Sequence, residues 1–149
     1  MLFRIVTAVV VARADGARLI SSFHLDLDDC DDVAADSNYL HFACHSTHAP
    51  GVAPADPPNM DAWVSKLERR TGKLSYLTQL GGEGIDVALR IKTDDPENGC
   101  VTGLTGSRNF PVTPGAVQRS YGGGPSDAFF AEIGQAGQIL LLHISWRLR

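Results

Sequence analysis

Residues 61–67, DAWVSKL, and residues 127–133, DAFFAEI, run through the same side-chain classes in the same order: acid, alanine, aromatic, apolar, small, charged, aliphatic. Nothing else in the chain limits its fold so strongly, because a unit written twice must be a structural unit that can stack on its own copy. The alternation inside each copy has period two, as in a β-strand. Trp63, Ser65 and Leu67 share one face, and so do Phe129, Ala131 and Ile133. Large, small, large along one face suits sheets that interdigitate. Gly72 and Gly137 mark turns, and Leu74, Tyr76, Thr78 and Leu80 then match Ile139, Leu141, His143 and Ser145 in a following strand. Two such strands joined at a glycine turn read as an antiparallel hairpin. A short helix over Ala62–Arg70 fits less well, since its twin with adjacent Phe129 and Phe130 prefers a strand.

The other half of the unit recurs as well. Asp32-Val33-Ala34 matches Asp86-Val87-Ala88, each opening a strand that ends near Asp36 or Asp94. FACHS (42–46) lines up with VTGLT (101–105). A fainter copy of the hairpin begins the chain, with TAVVVARADG (7–16) followed by LISSFHL (19–25). The reading is a single repeat domain over 1–149: a half unit at 1–25, a drifted four-strand unit at 32–80 and a second at 86–145. Four strands in about fifty to sixty residues is the size of one propeller blade.

These residues resemble the seven-bladed β-propeller (SBBP) repeat proteins, most densely from Asp61 to Ile144. The pieces are DAWVSKL, LSYLTQLGGEGIDVA, VTGLTGSRNFPVTPGAVQ and GGGPSDAFFAEI, in that order. Residues 47–60, THAPGVAPADPPNM, depart from the Phe-Pro-x-Thr loop, DLDDCD replaces a Gly-Gly turn, and ISWRLR lacks the Leu-Gly-Gly ending. The resemblance implies an all-β, incomplete β-propeller of about two four-stranded antiparallel blades plus an N-terminal hairpin. It also implies a bacterial surface or secreted setting and no defined catalysis. Since natural propellers close with four or more blades, the expected partners are further propeller blades or copies of the chain itself.

Charge and motifs narrow the function. A net charge of −4 with scattered Lys and Arg leaves no electrostatic footprint for nucleic acid or an anionic membrane. No apolar run reaches the length of a membrane span. MLFR, IVTAVVVA and Ala12-Arg13-Ala14 imitate a leader peptide, but fourteen residues fall short of one and the repeat gives 7–16 the part of a strand. Three cysteines, Cys30, Cys44 and Cys100, allow one bridge and a leftover thiol, or no bridge.

The acidic run DLDDCDD places Asp26, Asp28, Asp29 and Asp31 beside Asp32, a candidate oxygen cage for Ca²⁺, without the Gly pivot or distal Glu of an EF-hand. A solvated acidic turn is the competing reading. His41, Cys44, His45 and His48 crowd one strand, with His41 and His45 on one face and Cys44 on the other, which suits packing better than zinc. Asp32, Asp61, Asp86 and Asp127 recur at matching positions and read as acceptors for turn N–H groups. GGGPSD (122–127) and LGGEG (80–84) precede no helix with a Walker lysine and are turns. No nucleophile elbow occurs. The expectation is a non-enzymatic scaffold or adhesion module outside the cell, with no cofactor. The alternatives are a glycan or Ca²⁺ site, or a surface-protein contact, at loops 26–32, 47–60 and 106–126, and behind them a hydrolase-type propeller.

Overall fold

The computed structural model describes residues 25–53, 58–94 and 97–145. The expected N-terminal hairpin, apart from Leu25, and the leader-like stretch lie outside these residues. Eight strands follow one another: β1 (Asp29–Ala35), β2 (Tyr39–Ser46), β3 (Asp61–Glu68), β4 (Leu74–Leu80), β5 (Asp86–Thr93), β6 (Gly99–Thr105), β7 (Asp127–Ile133) and β8 (Ile139–Ser145). They form two four-stranded antiparallel meanders, β1-β2-β3-β4 and β5-β6-β7-β8. The described residues are therefore all-β, with no helix, and neither sheet closes on itself. Ala62–Glu68 is strand, as its aromatic twin requires.

The register makes the repeat exact in the last three strands of each sheet. Phe42 opposes Ser65 and Val101 opposes Ala131; Val64 opposes Thr78 and Phe130 opposes His143. In the first strand the match needs a correction. Cys30 opposes Cys44 where Ala88 opposes Gly103, so the counterpart of Asp86 is Asp28, and Asp32 answers to Arg90. The drifted unit thus starts its strand at Asp29, ahead of Asp32. Both first strands carry a β-bulge at the same place, between Cys30 and Asp32 and between Ala88 and Arg90. In a run of five aspartates the acid alone could not set the register; the bulge and the cross-strand partners do.

Packing follows from the alternation. On the first sheet Ala43, Ala62, Val64, Tyr76 and Leu80 face the second sheet. They meet Ala88, Ile91, Val101, Phe129, Ala131, Ile133, Leu142 and Ile144. Small residues on one side receive large ones on the other, which lets the two sheets approach to normal core density. Phe110, from the β6–β7 loop, closes this core against Phe129 with ring centroids 5.1 Å apart. The opposite face of the first sheet, with Leu40, Phe42, Cys44, Trp63 and Leu67, is capped by Leu25 and Leu27. Two polar links tie the sheets at their flanks. The Ile91 N–H donates to Asp32 at 3.0 Å, and the Thr78 hydroxyl donates to the Gly137 carbonyl at 2.7 Å.

Cys30 and Cys44 form a disulfide between β1 and β2, with 14 residues of separation, and Cys100 is a free thiol. One of the two arrangements that cysteine usage left open is thereby settled. The bridge sits where the second sheet has Ala88 against Gly103. Gly103 has its own constraint: a Cβ there would lie 2.1 Å from the Val87 carbonyl oxygen and 2.6 Å from the Phe129 ring.

Two outcomes are expected in urea unfolding. Gly103→Ala loses about 1–3 kcal/mol by overpacking against backbone and ring. The double replacement Cys30→Ala, Cys44→Ala loses about 3 kcal/mol, the chain-entropy value for a loop of this size. An unchanged unfolding midpoint in either case contradicts the packing described.

Candidate functional site

The acidic turn leading into β1 does not gather its carboxylates around one point; it distributes them to separate donors. Asp26 accepts the Gly51 N–H at 2.7 Å and lies 3.7 Å from His48 Nε2. Asp28 accepts both the Thr47 N–H (2.6 Å) and the Thr47 hydroxyl (2.7 Å), with His48 Nδ1 at 3.6 Å. Asp29 accepts the neighbouring Cys30 N–H at 2.8 Å, and Asp31 meets His45 Nδ1 at 3.0 Å. These bonds stitch the turn to the loop after β2. Among the described residues, no group of three or more His, Cys, Asp or Glu is arranged to hold a metal ion. Burial pulls the Asp28 carboxyl upward, but the Thr47 hydrogen bonds and the nearby His48 outweigh it and hold its pKa below the ordinary value.

The three histidines of this region share no carboxylate: His45 meets Asp31, His48 lies between Asp26 and Asp28, and His41 meets Asp36. His41 is fully buried and bonds Asp36 through Nε2 at 3.0 Å. Asp36 also accepts the N–H groups of Asn38 (2.8 Å) and Tyr39 (2.7 Å), closing the β1–β2 turn. Burial favours a neutral His41, and with Lys66 nearby its pKa falls below the ordinary value even though Asp36 pulls the other way. For Asp36, burial raises and the turn hydrogen bonds lower, with a lowered pKa as the outcome.

Beside His41 lies a buried polar group that the residue pattern had not singled out. Lys66 is 2% exposed, on the face of β3 that meets the second sheet. Its Nζ stands 4.0 Å over the Tyr39 ring, 3.6 Å from Glu97 Oε2 and 3.4 Å from the Glu97 carbonyl. Tyr76 sits next to it across β3–β4, its phenol pushed up to about 12 by burial. The Tyr76 hydroxyl and His41 Nδ1 are both buried without a protein hydrogen-bond partner among the described residues. Both point at Gly99: a Cβ there would stand 3.4 Å from the hydroxyl and 3.8 Å from Nδ1. A glycine whose missing side chain faces two polar atoms was the available sequence signal, alongside a lysine written into an apolar strand face.

Of the four recurring aspartates, Asp86 and Asp127 accept turn N–H groups as expected, whereas Asp61 takes side-chain amides and Asp32 takes strand N–H groups. Asp86 accepts the Gly82 N–H at 2.9 Å and the Ser107 hydroxyl at 2.6 Å. Asp127 accepts the Gly122 N–H and the Gln118 amide, and Asp61 accepts the Gln79 amide at 2.6 Å. Asp32 accepts its neighbour Val33 N–H and, across the sheets, that of Ile91. Desolvation, and then Asp86, lift the Asp61 pKa against the pull of Gln79. Trp63, Tyr76 and Phe129, which could have stacked on a sugar, are all buried.

One broad apolar depression remains. It lies on the outer face of the second sheet, a trough of about 750 Å³ lined by Leu89, Arg90, Thr102, Ala128, Phe130 and His143 among others. Phe130 stacks on His143 with ring centroids 5.5 Å apart. The free Cys100 belongs to the same face, its pKa raised by burial, then by Asp94 and Glu132. The face offers shape and apolar area, with Arg90, His143, Cys100 and Glu132 among its polar groups.

The depressed His41 pKa makes stability depend on pH with a definite sign. The unfolded chain takes up the proton below the ordinary value of 6.5, while the folded state resists it. The contribution is therefore complete above that value and shrinks as pH falls below it. The lowered Asp28 and Asp36 values act further down, holding above 3.8 and failing as pH drops through their folded values. His41→Gln, which can still donate to Asp36, should flatten the unfolding free energy between about pH 5 and 6.5 in urea titrations. A slope identical to the parent's rules out His41 as its source.

The chain matches no protein-family profile and no curated protein.

Proposed function

We propose that this chain is a non-enzymatic β-propeller repeat module, a scaffold or interaction surface that works outside the cell with further blades or copies of itself as partners. One observation carries the reading: the two sheets stack in the same sense. The face bearing Trp63 and Leu67 looks away from the second sheet, and the matching face bearing Phe129 and Ile133 looks toward the first. Successive units placed this way generate an open series whose last face is uncovered among the described residues, as a row of blades is before it closes. The Cys30–Cys44 bridge supports an oxidising compartment. That the site residues are turn fasteners and interface packing supports a structural role over catalysis.

The reading is tested by size-exclusion chromatography with light scattering, together with binding of an apolar dye. A single defined oligomer is the expected result, with the dye excluded once it forms. A monodisperse monomer that binds no dye counts against the module.

A further inference from the structure

The repeat assigns a partner to the bare face. Four residues of that face have counterparts that lie buried on the first sheet. Thr102 stands for Ala43, Phe130 for Val64, Cys100 for His41 and Glu132 for Lys66. Ala43, Val64 and His41 are 0% exposed and Lys66 is 2% exposed, whereas their four counterparts are all half-buried or exposed. The difference is one of cover: the backbone pairing is the same, and only the neighbour is missing among the described residues.

The covered interface also shows what a neighbour must bring. Its third strand presents a large, small, large apolar row, here Phe129, Ala131 and Ile133, and its first hairpin turn presents Glu97 to Lys66 at 3.6 Å. On the bare face the position of Lys66 is held by Glu132, so the sign of the charge is reversed. An acidic turn suited to the first sheet would meet a carboxylate here, a repulsion that selects against it.

We infer that the outer face of β5–β8 seats a third four-stranded sheet of this same repeat, in the sense in which the second sheet sits on the first, and that this sheet carries a Lys or Arg in its first hairpin turn, opposite Glu132. The inference rests on the repeat-module reading and specifies its partner.

The test uses the full chain with a duplicate of residues 81–145 joined directly after Ser145, since Ser145 is the counterpart of Leu80, where the first sheet hands over to the second. The duplicate carries Cys100→Ser, leaving the original Cys100 as the reporter thiol on the seat. One version keeps Glu97 in the duplicate and another carries Glu97→Lys there. Alkylation of the original Cys100 is expected to slow by about tenfold or more in the Lys version, and by less in the Glu version. Phe130→Asp in the original sheet should restore the parent rate while the parent chain bearing the same substitution still melts cooperatively. An alkylation rate unchanged in both extended chains overturns the seat. Equal protection by Glu and Lys overturns the charge requirement. Protection of Cys100 in the unextended chain that grows with protein concentration, and is not deepened by the duplicate, gives the face to a second copy instead. Each result is separate from that of the sizing experiment, which can fail while the extended chain protects Cys100.

Discussion

The contact on which the rest depends is the meeting of two unlike sheet faces. The first sheet contributes Ala43, Ala62 and Val64 with the larger Tyr76 and Leu80; the second contributes Phe129, Ile133, Leu142 and Ile144 with the small Ala88 and Ala131. Large side chains on each sheet meet small ones on the other, which fills the interface without voids or collisions. The fit is directional, so it tells the second sheet which way round to sit. It also explains why Gly103 must lack a side chain: Phe129 occupies the space above it, with the Val87 carbonyl alongside. Removing apolar area of this kind from water is worth about 25 cal/mol per Å², an effect that acts on the whole face and not on any one pair.

Polar groups in that interface work at its edges and in one buried pocket. Thr78 to Gly137 and Asp32 to Ile91 fix the lateral position of the sheets, since each joins a side chain of one to the backbone of the other. The Lys66–Glu97 contact does more for specificity than for stability. A lysine held at 2% exposure loses most of its hydration, and a single carboxylate with one carbonyl recovers only part of it. The same holds for the Tyr76 hydroxyl and His41 Nδ1, each costing about 1–3 kcal/mol if it finds no partner. Such groups sit tolerably only when the facing sheet arrives in a single position. They thus penalise a slipped stack more than they reward the correct one.

Much of this was legible in the residues. DAWVSKL against DAFFAEI carried the third strands, their faces and the hairpins that follow, because period-two alternation with aromatic residues has few other solutions. The turn role of Asp86 and Asp127 was legible too. The start of β1 was not. In DLDDCDD the acids at 28 and 32 are equivalent to the eye, and only the bulge after Cys30 shows that Asp28 is the partner of Asp86. The bridge between Cys30 and Cys44 waited on the same register, for cysteines pair by geometry and their count leaves the choice open. Lys66 was hidden for another reason: a lysine among apolar neighbours reads as the solvent side of a strand until a second sheet is known to lie on it. The acidic run offered oxygen ligands by composition, while the structure assigns Asp26, Asp28 and Asp31 to the loop after β2 and to histidines.

The two units have drifted apart in a way that follows from their neighbours. On the face that each turns toward the preceding element, the third strand keeps its classes, Trp63, Ser65 and Leu67 against Phe129, Ala131 and Ile133, while in the second strand Leu40, Phe42 and Cys44 have become Gly99, Val101 and Gly103. The face turned toward the following element has changed too. Val64 has become Phe130, Thr78 has become His143, Tyr76 has become Leu141 and Lys66 has become Glu132. A methylene too many or too few is felt in a close-packed interior, so each face is fitted to its own neighbour: Trp63 and Leu67 to Leu25 and Leu27, Phe129 and Ile133 to Ala43, Ala62 and Val64. The larger ring at 130 and the reversed charge at 132 are carried on an unchanged backbone register. At 130 the apolar side chain has grown from valine to phenylalanine, and at 141 a leucine keeps the position apolar where the first sheet has the larger Tyr76.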